Sequence, residues 1–292
     1  MWMKTIGTIT GPNHLRNNTP NQDAVGVREV GDYVAVVVAD GAGSLSESHI
    51  GAHKAVNVVL DEIEISNKDE HDLDLVLELA VECARETLLN MPNYEQKGCT
   101  VAAALVGRDR WAVTTVGDSF VVMEKEDGEY ELFTSPPAGE YVNITKLLTS
   151  PSFQINRFSG TGNIKSFAVA SDGLAHISIK DNKPFVPFWS FVFNNARPKE
   201  IDNVDVDSNN IDNNIDNNID NTLDDSASKL LDHLLSENRL DDDTTLAVLV
   251  QSPENIVEEV SLPNIIESSN ETSDKTEPGA PENVESSVDS VE

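Results

Sequence analysis

The strongest structural signal in the chain is the stretch Tyr33-Val34-Ala35-Val36-Val37-Val38-Ala39-Asp40-Gly41-Ala42-Gly43. Its continuous run of apolar, mostly β-branched residues is typical of a strand that is buried on both faces. Asp40 and Gly41 then end the strand with residues that favour a turn. We therefore predict a central strand over 33–39 whose last side chain is acidic.

Acidic residues border four other predicted strands. They are Asp118 after Val113-Thr114-Thr115-Val116, Asp172 after Phe167-Ala168-Val169-Ala170, Asp242 before Thr245-Leu246-Ala247-Val248, and Asp23 before Ala24-Val25. A single aspartate beside a strand is more often a turn residue than a ligand. Five such sites in one chain favour the hypothesis that the strand ends converge.

Converging carboxylates repel one another, and this repulsion predicts a metal site. Two unit charges 4 Å apart cost about 4 kcal/mol at an effective dielectric near 20. Such a cluster either raises its pKa values or binds a cation. Ligands that are all oxygen favour Mg²⁺ or Mn²⁺. Two ions about 3.5–4 Å apart would lower the pKa of a shared water and direct it at phosphorus, which predicts metal-assisted phosphoester hydrolysis.

Hydrophobic periodicity predicts an α+β layered domain in which hairpins dominate. The predicted strands cover residues 5–10, 24–30, 33–39, 100–107, 110–116, 120–125, 129–133, 153–158, 166–170 and 245–250. The predicted helices cover 48–66, 73–91 and 223–235. On the first two helices we expect one buried face each, formed by Ile50, Ala55, Val58, Val59 and Ile63, and by Leu75, Val76, Leu79, Cys83 and Leu88.

Charge and composition exclude several classes of protein. The 292 residues carry a formal net charge of −31, which argues against binding to a nucleic-acid backbone. No apolar run is long enough to cross a membrane. The first residues lack the apolar core of a secretory signal, and two cysteines cannot form a disulfide framework. We therefore expect a cytoplasmic protein.

Two low-complexity segments hold much of the acidity. Residues 200–225 contain nine acidic and no basic residues, and residues 252–292 contain eleven acidic and one basic residue. We predict a catalytic domain over 1–251 with an Asn/Asp-rich insertion at about 199–222, followed by a disordered acidic tail over 252–292. The Ile-Asp-Asn-Asn repeat of the insertion lacks the glycine of known calcium loops, which favours a tolerated loop expansion over calcium binding.

Six short motifs occur in an order that resembles a known family. They are Asn21-Gln22-Asp23-Ala24, Val38-Ala39-Asp40-Gly41-Ala42-Gly43-Ser44, Gly98-Cys99-Thr100, Val116-Gly117-Asp118-Ser119, Ala170-Ser171-Asp172-Gly173-Leu174 and Asp242-Asp243-Thr244-Thr245-Leu246. Together they resemble the metal-dependent protein phosphatases, the type 2C serine/threonine phosphatases, over about residues 6–250. The resemblance is closest to a compact bacterial branch with Gln-Asp in the first motif, a histidine such as His14, and a Phe/Pro/Trp-rich stretch such as 185–193.

The resemblance implies a four-layer α/β/β/α sandwich of two antiparallel sheets flanked by helices, with two Mg²⁺ or Mn²⁺ ions between the sheet edges. The implied roles are a ligand that bridges both ions (Asp40), a carbonyl ligand (Gly41), two further ligands of one ion (Asp172 and Asp242), a ligand of a weaker third ion (Asp118) and a residue that acts through water or a hydrogen bond (Asp23). Ser119 is interpreted as a supporting residue because no partnered base is evident.

The sequence departs from the family pattern at three positions. Gln22 replaces a glutamate that helps to hold the second ion, so one negative charge is lost. Asn18 occupies the usual position of a phosphate-binding arginine, for which Arg16 is the candidate, with a solvated surface arginine as the alternative. Ala42 replaces a histidine that acts as a general acid in many members. The candidates to replace it are His14, His49 and His53, each of which is more often an ordinary helix or loop residue.

Three functions remain open on the sequence. The first is a phosphoserine/phosphothreonine protein phosphatase that opposes a serine/threonine kinase and acts as a monomer, with no nucleic-acid or membrane partner. The second is a pseudophosphatase that binds a phosphoprotein or regulatory partner without turnover, which the residues at 18, 22 and 42 favour. The third is a phosphatase for small phosphorylated metabolites.

Overall fold

A computed structural model describes residues 1–66, 72–134, 145–197 and 225–252. All of them belong to one structural unit, Met1–Asn255. The Asn/Asp-rich insertion predicted at 199–222 lies outside the described residues, and so does the predicted tail from Pro253 onward. The domain boundary, the insertion and the disorder of the tail therefore stay predictions.

Twelve strands are present in the described part of the chain. They are β1 (Trp2–Ile9), β2 (Asp23–Val30), β3 (Tyr33–Asp40), β4 (Val101–Val106), β5 (Arg110–Val116), β6 (Phe120–Lys125), β7 (Tyr130–Phe133), β8 (Asn156–Thr161), β9 (Ile164–Ala170), β10 (Ile179–Lys180), β11 (Lys183–Pro184) and β12 (Thr244–Gln251). Ten of them form two five-stranded antiparallel sheets, in the orders β1-β12-β9-β6-β7 and β2-β3-β4-β5-β8. We call these the first sheet and the second sheet. Strands β10 and β11 form a separate hairpin.

Within the described ranges, six α-helices flank the sheets or connect their strands. They are α1 (Pro12–Asn17), α2 (Ser48–Ile65), α3 (Leu73–Leu89), α4 (Ala175–Ser178), α5 (Val186–Ala196) and α6 (Ser226–Ser236), with 3₁₀ turns at Tyr94–Gln96 and Asp172–Leu174. Among these helices, none combines the length and the apolar character that a membrane span requires.

Three apolar clusters separate four layers. One cluster lies between helices α2 and α3 and the outer face of the second sheet. Another joins the outer face of the first sheet to helices α5 and α6. The third lies between the two sheets. The α+β class and the α/β/β/α sandwich predicted from the sequence are confirmed.

Strand β3 shows why its sequence is apolar at every position. Val36 and Val38 belong to the cluster between the sheets. Ala35 and Val37 point the other way, into the cluster beneath α2 and α3. Because successive side chains of a strand alternate between faces, a strand covered on both sides needs apolar residues throughout.

The sequence misjudged which faces of two helices are buried. Ile50 of α2 is 40% exposed, and Leu75 and Leu79 of α3 are 39% and 52% exposed. The buried face of α3 instead includes Ala80 and Ala84. These small side chains allow close packing, and a count of hydrophobicity ranks them below the leucines.

Helices α1, α4 and α5 were not predicted, and one strand lies three residues further along the chain. Strand β8 covers Asn156–Thr161 instead of 153–158, while α1, α4 and α5 had no predicted element. Helix α5 is rich in residues that favour strands, but Trp189, Val192, Phe193 and Ala196 follow helical spacing and are buried. The indole of Trp189 also donates to the carbonyl oxygen of Ser178 at 2.9 Å. Tertiary burial therefore outweighs the intrinsic propensity.

Candidate metal centre

The sheet register brings the acidic strand ends to one edge of the sandwich. Asp23, the first residue of β2, is paired directly with Asp40, the last residue of β3. In the first sheet, Ala170 at the end of β9 is paired with Phe120 at the start of β6 and with Leu246 near the start of β12. The segments that carry Asp118, Asp172 and Asp242 therefore meet at this edge.

Three of the predicted ligands form a tight group. Carboxylate oxygens of Asp40, Asp118 and Asp172 all lie within 4.8 Å of one another, close enough to hold one cation. They border a cavity of about 200 Å³. The cavity is lined by Gln22, Asp40, Gly41, Ala42, Gly43, Thr100, Asp118, Thr145, Leu147, Asp172, Asp242 and Asp243. Asp23 is 4% exposed and does not line the cavity.

Burial and mutual repulsion make the charged state of these acids costly. Burial, together with the neighbouring Asp23 and Asp172, raises the pKa of Asp40 well above its ordinary value. Burial and the charge of Asp118 raise the pKa of Asp172 to about 6. Burial raises the pKa of Asp23 to about 7, although the hydroxyls of Ser171 and Thr245 act in the opposite direction. A bound cation would relieve this cost, since opposite charge favours ionised carboxylates.

Gly41 is required by the close approach of its neighbours. A Cβ at this position would lie 2.7 Å from the carbonyl oxygen of Gln22 and 2.9 Å from the backbone of Ser48. The Gly41 amide donates to that same Gln22 oxygen at 3.1 Å. The residue therefore sits where a larger side chain would push the loop away from the cavity.

Two threonines, one buried and one exposed, hold the backbone or side chain of two of the acids. The backbone of Thr100 donates to the carbonyl oxygen of Asp40 at 2.8 Å. The Thr100 hydroxyl in turn shares a 2.7 Å hydrogen bond with the fully buried hydroxyl of Ser119. Thr145 donates to Oδ2 of Asp118 at 2.6 Å. The Ser119 hydroxyl is thus buried against Thr100, and its interpretation as a supporting residue stays a prediction.

Asp243 is a site residue that sequence reasoning missed. Its Oδ1 accepts a hydrogen bond from the backbone N–H of Gly11 at 2.7 Å. Its Oδ2 accepts one from the backbone N–H of Gln22 at 2.6 Å and lies 2.8 Å from Nδ1 of His14. This one carboxylate therefore fastens the segment between β1 and β2 to the start of β12. The run Asp241-Asp242-Asp243 signalled an acidic corner, but it did not indicate which side chain turns inward.

Two buried oxygens at the cavity lack a hydrogen-bond partner within the described ranges. They are Oε1 of Gln22 and Oδ1 of Asp118. The side-chain nitrogen of Gln22, Nε2, donates to the carbonyl oxygen of Leu45 at 3.2 Å. The other atom of that side-chain amide, Oε1, is left free for another partner. Unpartnered buried oxygens are costly in a folded protein. Together with the acidic cluster, they fit a site for hard divalent cations.

The candidate phosphate-binding and acid residues lie elsewhere. Arg16 is exposed on α1 and donates to Asn13 at 2.5 Å. Neither Arg16 nor His49, His53 or His14 lines the cavity, although His14 contacts Asp243 behind it. No arginine, lysine or histidine occurs among the described residues that form the cavity wall. The role of Arg16 stays a prediction.

The family comparison agrees with this arrangement. Residues 10–210 match the sequence pattern of the family described as Protein phosphatase 2C. The match covers more than half of the chain, and the chain therefore belongs to the protein phosphatase 2C family. The function predicted from the sequence, a metal-dependent serine/threonine protein phosphatase, is confirmed at the level of this family. That the chain falls in the branch with Gln-Asp in the first motif stays a prediction.

The chain is also similar to a curated protein in sequence and to solved structures in fold. The chain is 26% identical over 267 residues to serine/threonine-protein phosphatase 3 of Escherichia coli (strain K12), covering 85% of this chain and 97% of the relative. The serine/threonine phosphatase Stp1 from Staphylococcus aureus has a similar fold, with a TM-score of 0.61 at 17% identity, covering 86% of this chain and 96% of Stp1. The catalytic domain of PstP in complex with two manganese ions has a TM-score of 0.57 at 16% identity, covering 86% and 99%.

Proposed function

We propose that the cavity hydrolyses phosphoserine and phosphothreonine in proteins with the help of two Mg²⁺ or Mn²⁺ ions, and that a third, weaker ion binds at Asp118. The observation that carries this proposal is the charge of the cavity wall. Five aspartates line it, and no basic side chain is among the described residues that do so. The PstP structure, which has a similar fold and is in complex with two manganese ions, supports manganese as the metal and two as the number of ions.

Charge balance links the cations to the substrate. A phosphomonoester is a dianion near neutral pH, and each carboxylate 4 Å away would repel it by about 4 kcal/mol per unit charge at an effective dielectric near 20. Substrate therefore enters this cavity only when cations neutralise the aspartates. Binding of the phosphoryl group, and not only its hydrolysis, therefore depends on metal.

The carboxylates have different positions and therefore different proposed roles. Asp40, which is close to Asp118 and Asp172, would hold both ions, with the carbonyl of Gly41 as a further ligand. Asp172 and Asp242 would complete the shell of one ion. Gln22 would offer its amide oxygen to an ion or to an ordered water. Asp23, buried behind Asp40, would act through a hydrogen bond or a water.

The bound ions would supply an attacking water of lowered pKa and neutralise charge on the phosphoryl oxygens. The protein's own residues orient the reactants. The Thr100 backbone amide donates to the Asp40 carbonyl, and the Thr100 hydroxyl accepts from the Asp40 amide and pairs with Ser119. The Thr145 hydroxyl donates to the Asp118 carboxylate. During hydrolysis a water oxygen bonds to phosphorus, the ester oxygen leaves, and that oxygen takes up a proton to regenerate serine or threonine.

Hydrolysis of a phosphothreonine peptide at varied manganese concentration tests the proposal. We expect manganese-dependent turnover by the natural sequence and none by Asp40→Asn. Equal rates for both proteins at every manganese concentration would refute it. A parallel panel of small phosphorylated metabolites separates a protein phosphatase from a metabolite phosphatase, because the first hydrolyses the peptide faster.

A pseudophosphatase is the second candidate, and Gln22 is the observation that favours it. The side-chain amide carries one negative charge less than the glutamate it replaces, and this loss weakens binding of the second ion. Calorimetry with Mn²⁺ distinguishes the two functions. Tight binding of two ions supports the phosphatase, whereas a folded protein that binds no ion supports the binding module.

The setting of the enzyme is also a proposal. We propose a cytoplasmic monomer that opposes a serine/threonine kinase, with a catalytic domain over 1–251 and a tail that does not contribute to turnover. Truncation after Gln251 is expected to leave turnover within about tenfold of the full chain, a change below 1.4 kcal/mol in the barrier. A larger loss would show that the tail acts on the site.

A further inference from the structure

Lys97 is a buried lysine whose ammonium group is fully engaged. The residue is 5% exposed. Its Nζ contacts the carboxylate of Glu47 and donates to the carbonyl oxygens of Pro92 at 2.6 Å and Asn93 at 3.4 Å. Three donors thus meet three acceptors, as a buried ammonium requires. The hydrogen bond to Lys97 also lowers the pKa of Glu47.

The ion pair joins two loops that run side by side. We call residues 41–48 the cavity loop and residues 92–98 the clamp loop. The cavity loop donates from Ala42 to Gly98 and from Glu47 to Gln96, each at 3.1 Å. A Cβ on Gly51 would lie 1.9 Å from the carbonyl oxygen of Lys97, so the clamp loop rests directly on helix α2.

The cavity loop in turn sets the orientation of Gln22. The Gln22 side-chain nitrogen donates to the carbonyl oxygen of Leu45, in the middle of the cavity loop. Since the amide has its nitrogen and oxygen on opposite branches, this bond turns Oε1 away from Leu45. That oxygen is buried, lies 3.8 Å from the position of a Cβ on Gly43, and has no partner among the described residues. Gln22 itself is 3% exposed and lines the cavity.

We propose that the Lys97–Glu47 ion pair is a positioning device that holds the cavity loop so that Gln22 presents its amide oxygen to a divalent cation or its water. The inference rests on the proposed function. Lys97 touches no residue of the acidic cluster in the described structure, so it acts through Glu47, Leu45 and Gln22. The pair compensates in geometry for the charge that Gln22 lacks.

Loss of the Lys97–Glu47 ion pair is expected to weaken metal binding. Residues that orient a metal ligand from behind change metal affinity by about 10- to 100-fold when they are replaced. We expect Lys97→Met in the full chain to weaken Mn²⁺ binding, measured by calorimetry, by about tenfold or more. Lys97→Arg, which keeps the positive charge, is expected to lose less of the Mn²⁺ affinity. Lys125→Met is the matched control, because that lysine also pairs with glutamates but lies on β6 away from the cavity.

A double-mutant cycle separates positioning from a general loss of stability. In a Gln22→Ala background, Lys97→Met is expected to change Mn²⁺ affinity by less than about twofold, because the group it positions is gone. Equal losses in both backgrounds would overturn the inference. If Lys97→Met does not fold, Glu47→Gln replaces it in the same cycle, since that change keeps the shape and removes the charge of the partly exposed partner.

The same titrations distinguish this inference from the proposed function. If the natural sequence binds Mn²⁺ and both Lys97→Met and Glu47→Gln bind it with unchanged affinity, the inference about the Lys97–Glu47 ion pair is overturned and the proposed function is not. If the natural sequence binds no Mn²⁺, both the proposed function and the inference about the ion pair are overturned. A tenfold loss that disappears in the Gln22→Ala background supports both.

Discussion

Asp243 and the pair Asp40 and Asp172 lie at the same sheet edge but in opposite electrostatic environments. Asp243 is buried and has a partner for each oxygen, namely the amides of Gly11 and Gln22 and the ring of His14. Asp40 and Asp172 are also largely removed from water, but they mainly face other acids, and their pKa values are raised. The first arrangement stabilises the fold, and the second costs stability.

The difference indicates which acids serve structure and which serve chemistry. A carboxylate with several N–H donors is stable as an anion without any ion. A cluster of carboxylates without such donors is stable only when it is protonated or bound to cations. Four predictions test this distinction, beginning with the largest effect.

Asp40→Asn is expected to abolish catalysis. The change removes a carboxylate that is close to those of Asp118 and Asp172, and several kcal/mol of transition-state stabilisation should be lost with the ions. We expect turnover of a phosphothreonine peptide at saturating manganese to fall at least about a thousandfold. Activity within tenfold of the natural sequence would show that Asp40 is not at the reacting centre.

Asp243→Ala is expected to have its main effect on folding. It leaves two buried amides and His14 without their acceptor, which costs about 3–5 kcal/mol. Urea denaturation of the metal-free protein measures this loss. Asp232→Ala, at an exposed position on α6, should change stability by less than about 0.5 kcal/mol. Similar midpoints for the two variants would contradict the structural role of Asp243.

The same Asp40→Asn change should stabilise the metal-free protein. It removes one of several mutually repelling charges, and we expect a gain on the order of 2 kcal/mol at pH 7.5, between the values for one like-charge contact in water and at a dielectric near 20. Thermal unfolding in chelator gives the measurement. Added manganese should raise the melting temperature of the natural sequence and leave that of the variant unchanged. A metal-free variant that is less stable than the natural sequence would contradict the proposed repulsion.

Ser119→Ala separates a supporting hydroxyl from a nucleophile. The Ser119 hydroxyl is buried against Thr100, so its loss should cost about 1 kcal/mol of stability. Turnover should fall by less than about tenfold, because no bond to phosphorus forms at this oxygen. A complete loss of turnover in a folded variant would indicate covalent catalysis.

Most of the fold could be predicted from its strands. The continuous apolar run of β3 and the acidic residues at strand ends are local signals, and antiparallel pairing brings those ends to one edge. Helix α5 could not be predicted in this way, because its aromatic residues favour a strand until the sheet surface is available to cover them. The buried alanines of α3 were missed for a related reason, since close packing between neighbours is not visible in hydrophobicity.

The candidate site was predicted in its residue types and less well in its support. Asp40 ends β3, and Asp118 and Asp172 lie two residues beyond β5 and β9, so their convergence needs only the sheet order. The role of Asp243 depends on which of three consecutive aspartates turns inward, and one residue changes the face. The Lys97 contacts join segments 50 residues apart, a proximity that no local pattern encodes.

The central claim is that these aspartates bind divalent cations, and anomalous diffraction from a crystal soaked in manganese tests it most directly. We predict at least two anomalous peaks about 3.5–4 Å apart, with Asp40 between them and Asp172 and Asp242 on one of the two. An anomalous map with no peak within ligand distance of Asp40, in a crystal that takes up manganese elsewhere, would contradict the account.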